Sequence, residues 1–103
     1  MPRIRYVSHL TDVDRIRVDF KTELGRVKTL NVVQYETMRQ GKWHPVARYD
    51  TTHGSVHLDL QTPAGSRKYR IALQNLDDAL TFAIEDLKAN WSIYKKQFLG
   101  EDA

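Results

Sequence analysis

From Arg15 to Lys21 the chain alternates: Ile16, Val18 and Phe20 are apolar, and Arg15, Arg17, Asp19 and Lys21 are charged. A period of two marks a strand with one face on a core and the other in water. Gly25 supplies a turn. The β-rich run Val27 to Met38 follows, with Val33, Tyr35 and Thr37 on one face and Val32, Gln34, Glu36 and Met38 on the other. Arg39-Gln40-Gly41-Lys42 reads as a hairpin turn, Gly41 taking the positive φ that such turns demand. Trp43 to Asp50 returns as a strand with Trp43, Ala47 and Tyr49 on its core face. Pro45 marks an edge or bulge there, because it cannot donate to a ladder. His53-Gly54 breaks the pattern. Val56, Leu58 and Leu60 resume it, Thr62-Pro63-Ala64-Gly65 turns it, and Arg67 to Ile71 closes it with Tyr69 and Ile71 inward.

At Asn75 the period changes. Leu76, Leu80, Ala83, Ile84, Leu87, Trp91, Tyr94 and Phe98 recur every three or four residues, the stripe of an amphipathic helix. Asn75 is a good N-cap, Asp77 and Asp78 suit the positive end of the helix dipole, and Gly100 suits the stop. The predicted fold class is α+β: a bent antiparallel β-meander of about five strands packed on one long C-terminal helix. Residues 1–103 form one domain by length, with the sheet over 15–71 and the helix over 75–98. Residues 1–14 are either an edge strand or a loose arm.

One helix covers one sheet face. The second face, carrying Val32, Met38 and Val46 among polar residues, is then wet or meets another chain. A 23-residue helix runs about 34 Å against about 17 Å for a five-residue strand, so Trp91, Tyr94 and Phe98 either overhang or are covered by a long strand such as 27–38. A homodimer is the expected way to cover such area.

Composition narrows the classes. The chain has no cysteine, which removes disulfides, thiolate nucleophiles and thiolate zinc sites. No apolar run reaches the roughly 20 residues of a membrane helix, and no signal peptide is visible. A cytoplasmic protein with no membrane association is expected. Net charge is +3, a small excess that leaves a polyanion partner open.

The densest chemistry lies in Arg48-Tyr49-Asp50-Thr51-Thr52-His53-Gly54-Ser55-Val56-His57-Leu58-Asp59. A metal-free ribonuclease needs a base for the 2′-hydroxyl, an acid for the leaving oxygen and a cation for the phosphate. Arg48, Asp50, His53 and His57 supply those types: either histidine as acid or base, Asp50 to orient one, Arg48 as clamp with Arg67 or Arg70 beside it. Arg15, Arg17, Arg67 and Arg70 are the candidate nucleic-acid contacts. A solvated hairpin tip and a solvated charged strand face would show the same residues. Asp50, His53, His57 and Asp59 could also converge on a metal, but their spacing fits no standard zinc pattern, and no cofactor is expected.

The Arg48-Tyr49-Asp50, His53-Gly54 and His57 pattern, followed by a turn and a helix with Asp86-Leu87-Lys88-Ala89-Asn90-Trp91, resembles a family of small uncharacterised prokaryotic proteins. More distantly it is similar to the TumE-type toxins of toxin–antitoxin pairs, which carry a Tyr-Asp turn and then a His-x-His element. That resemblance implies RNA-directed chemistry at Arg48, Asp50, His53 and His57, and a small DNA-binding antitoxin as partner. Two functions of different class therefore stand: a toxin-like ribonuclease and a non-enzymatic homodimeric interaction module, with a metal-dependent hydrolase behind them.

Overall fold

The computed structural model describes residues 2–51 and 54–101. Six strands follow one another: β1 (Arg3–Thr11), β2 (Asp14–Glu23), β3 (Arg26–Arg39), β4 (Lys42–Asp50), β5 (Val56–Thr62) and β6 (Gly65–Ile71). They form one antiparallel sheet in sequence order, a plain meander. The helix α1 (Leu76–Leu99) follows and packs on β3, β4 and β5. The α+β class is as the periodicity predicts, but the sheet has six strands, not about five. The extra strand is β1: residues 3–11 pair with β2, so the N-terminal segment is an edge strand and not an arm.

The turns follow their residues. Leu24-Gly25 and Gln40-Gly41 both take positive φ at both positions, the requirement of a type I′ hairpin. Asn75 caps α1 by accepting from the Asp78 N–H at 3.1 Å. Gly100 ends it at φ 73°, with the N–H of Gly100 donating to Gln97 and that of Glu101 to Lys96, a Schellman motif.

The core lies between α1 and one sheet face. Ile16, Val18, Leu30, Val33, Tyr35, Ala47, Tyr49, Val56 and Leu58 meet Ala79, Ala83 and Leu87 of the helix. A β-bulge between Tyr35 and Glu36 on the β3–β4 ladder shifts the phase of β4. Val46, expected on the second face, is therefore buried in the core at 1% exposure. Trp43, expected in the core, sits on the second face beside Met38 and under Arg15, whose guanidinium is 3.9 Å from the ring centroid. Trp91, Tyr94 and Phe98 do not overhang. Trp91 meets Tyr35 edge-on at 5.8 Å, Phe98 lies against His44, and Tyr94 reaches Asp86. The 14-residue β3 is long enough to underlie that end of the helix. Among the described residues, no helix is long and apolar enough to cross a membrane.

Candidate functional site: the open face of the sheet

The register sorts the side chains. Even-numbered residues of β2 face the helix, with Val33, Tyr35 and Thr37 of β3; a register shift on the β2–β3 ladder after Asp19 then brings Leu30 to the same side. Arg15, Arg17, Asp19 and Lys21 face away, with Gln34 and Glu36 of β3, Arg48 and Asp50 of β4, His57 and Asp59 of β5, and Lys68 and Arg70 of β6. Counted with β1, this open face carries eight Arg or Lys and four Asp or Glu. Its excess of positive charge surpasses the +3 of the whole chain.

Two rows cross the sheet. One runs Arg17, Gln34, Arg48, Asp59, Lys68. It presents a cation on every second strand, about 10 Å apart given the usual strand spacing. The next holds Arg5 and Asp19 of β1 and β2, then Asp50, His57 and Arg70 of β4, β5 and β6.

The carboxylates form a floor beneath these cations. Glu36 accepts from Arg15 Nε at 2.8 Å, Arg17 Nε at 3.2 Å and the Gln34 amide. Burial alone would raise the Glu36 carboxyl, but those donors hold it below its ordinary value. Asp50 Oδ2 accepts from Arg48 Nε at 3.1 Å. Asp19 accepts a two-pronged contact from Arg3, at 3.0 and 2.7 Å, and a bond from Asn31. The Arg3 hydrogen bonds dominate there and pull its carboxyl down to about 2.

Arg15, Arg17 and Arg48 are each tethered through Nε. Their terminal Nη groups make no hydrogen bond within the described residues; the Arg17 and Arg48 side chains are 41% and 44% exposed, and that of Arg15, lying over Trp43, is 23% exposed. A guanidinium fixed at one edge and open at the other is a preorganised donor for phosphate oxygens. Lys68 and Arg70 enter no ion pair with a described carboxylate. Asp59 Oδ1, between Arg48 and Lys68, is buried without a hydrogen-bond partner among the described residues.

Three of the four expected catalytic residues share this face. Arg48 and Asp50 are joined, and His57 is the direct cross-strand neighbour of Asp50 and of Arg70. The His57 Nε2 lies 2.9 Å from Ser55 Oγ. His53 lies outside the described residues. Of the expected nucleic-acid contacts, Arg15, Arg17 and Arg70 are on the open face. Arg67 is not: it pairs with Leu60 and so belongs to the helix side, and Lys68 takes the place expected for it. Among the described residues no group of three or more His, Asp or Glu is arranged to hold a metal. The acidic floor that orients the arginines carries no signal in one sequence, because Glu36, Asp19 and Asp50 meet their partners only through strand pairing.

The chain belongs to a domain family of unknown function, DUF7718, whose model matches residues 1–103. No curated protein and no solved structure matches it.

Proposed function

We propose that this protein binds single-stranded RNA across the open face of its sheet. The observation that carries the reading is the Nε-tethered trio Arg15, Arg17 and Arg48, continued by Lys68 and Arg70. Cations at regular intervals suit a phosphate backbone, and guanidinium planes are also platforms on which unstacked bases rest. A sheet face offers no protruding helix or ribbon to enter a duplex groove, which favours a single strand.

The test is fluorescence anisotropy of a labelled oligouridine over a range of salt concentrations. Wild type should bind with a clear salt slope. The row variant Arg17→Gln/Arg48→Gln/Lys68→Gln should lose about three phosphate contacts, reducing that slope by about 2 and the affinity at least about tenfold. An unchanged slope, or equal preference for duplex DNA, would contradict the reading.

Cleavage of the bound strand is the second reading, favoured by the Asp50, His57, Arg70 row. His57→Ala would then abolish turnover of a labelled RNA while leaving its affinity intact.

A further inference from the structure

Among the described residues nothing pairs with the outer edge of β1 or of β6, and the two edges are built differently. β6 carries Arg67, Lys68 and Arg70 within seven residues, the charge pattern that blunts strand addition. Its mate in a twofold pairing would bring like charges together. β1 is longer, and Ile4, Tyr6 and Val7 stand 39%, 43% and 43% exposed on it.

The hydrogen bonds of β1 can be phased from one contact. The Thr22 N–H donates to the Pro2 carbonyl, so Pro2–Thr22 is a bonded pair. Pairs alternate along an antiparallel ladder. Ile4, Tyr6 and Ser8 therefore bond inward to β2, while Arg3, Arg5, Val7 and His9 aim their N–H and C=O groups outward. The ladder stays regular until the shift between His9 and Thr11. The regular outer edge thus runs from Arg3 to His9, and its midpoint is Tyr6.

We propose that β1 joins two copies of this chain, pairing antiparallel with β1 of a second copy about a twofold axis at Tyr6. In that register Arg5 faces Val7 of the second copy and Arg3 faces its His9, so no arginine meets an arginine. Centring on Arg5 instead would set Arg5 against itself. The outward N–H and C=O groups of Arg3, Arg5, Val7 and His9 all find partners. The two Tyr6 rings meet on the helix side, where Ile4 adds apolar area. The axis stands perpendicular to the sheet, so the two open faces lie on the same side and become continuous.

Sedimentation of the full chain at tens of micromolar, without RNA, tests it. The expected mass is twice 12.0 kDa, and a mass of 12.0 kDa overturns the proposal. Val7→Pro removes an outward donor without removing a β1–β2 hydrogen bond. It should give a folded monomer by circular dichroism and sedimentation, and a persistent dimer overturns the proposal. The chain has no cysteine, so Tyr6→Cys is a clean probe. Facing residues of a non-bonded pair lie about 4.5 Å apart at Cα, within disulfide range. Tyr6→Cys should form a covalent dimer on oxidation well before Tyr69→Cys on β6, and the reverse order contradicts the register. A dimer that ignores RNA, or a monomer that binds it, separates this proposal from the function proposed above.

Discussion

On the helix side of the sheet the carboxylates are held chiefly by hydroxyl groups; on the open side they are held by guanidinium groups. Asp14, 1% exposed, accepts from Thr11, Tyr35, Thr37 and Lys95. Burial alone would raise its carboxyl, but those bonds hold it below the ordinary value. Asp86 on α1 accepts from Tyr49 and Tyr94 hydroxyls and the Asn90 amide. Burial first, and these carboxylates second, push the hydroxyls of Tyr35, Tyr49 and Tyr94 well above the usual tyrosine range. The three rings stay protonated donors: Tyr49 ties β4 to α1, Tyr35 ties β3 to β2, and Tyr94 closes on Asp86 within α1. On the open side, Glu36, Asp19 and Asp50 use their charge to orient arginines that still have donors to give. The same strands therefore carry a face whose polar groups close on one another and a face whose polar groups remain available.

Substitutions should separate the two faces, and the largest effect belongs to the helix side. Asp14→Ala leaves the Lys95 ammonium and the buried Tyr35 hydroxyl without their acceptor, while the Thr37 hydroxyl keeps the Val13 carbonyl. It should cost about 3–5 kcal/mol in chemical denaturation. Arg17→Gln on the open face should cost under about 1 kcal/mol, since a half-exposed ion pair contributes little, while weakening RNA binding. If Arg17→Gln destabilised as much as Asp14→Ala, the contrast between the faces would fail.

Next comes pH. The Asp19 carboxyl titrates near 2 in the folded chain, against about 3.9 in an unfolded one. Its contribution is therefore full above about pH 4 and is lost as pH falls toward 2. Asp14 and Glu36, also lowered, act in the same direction. The raised tyrosines act oppositely: their contribution is full below about pH 10, the ordinary tyrosine value, and is lost above it. Thermal melts should show a plateau with an acid and an alkaline shoulder. In Arg3→Ala the acid shoulder should shrink and the alkaline one should not. Tyr49→Phe should shrink only the alkaline one.

Asn75→Ala, which removes the N-cap of α1, should cost about 1 kcal/mol and leave RNA affinity unchanged. Asp59→Asn should have the smallest effect on stability. It removes a negative charge between Arg48 and Lys68, so it should tighten RNA binding a few-fold.

Much of this architecture is legible in the sequence because the relevant signals are local. The alternation of Ile16, Val18 and Phe20 set the face of β2, and Asn75 and Gly100 marked the two ends of the helix. What escaped was non-local. The bulge on the β3–β4 ladder moved Val46 into the core and Trp43 out of it, and nothing near Pro45 said which residue would be the extra one. The segment Arg3–Thr11 lacks clean alternation because both of its faces are largely exposed, so it reads ambiguously as a strand. Arg48, Asp50 and His57 were found as a cluster by their proximity in sequence. Arg15, Arg17 and Glu36 were not linked, because 21 residues separate Arg15 from Glu36.

The most direct measurement of the central claim is nuclear magnetic resonance mapping of labelled protein titrated with oligouridine. The account predicts shifts concentrated at Arg17, Gln34, Arg48, His57 and Lys68, with the outer helix residues Phe82 and Ile93 unmoved. Shifts centred on α1, or none at saturating RNA, would contradict it.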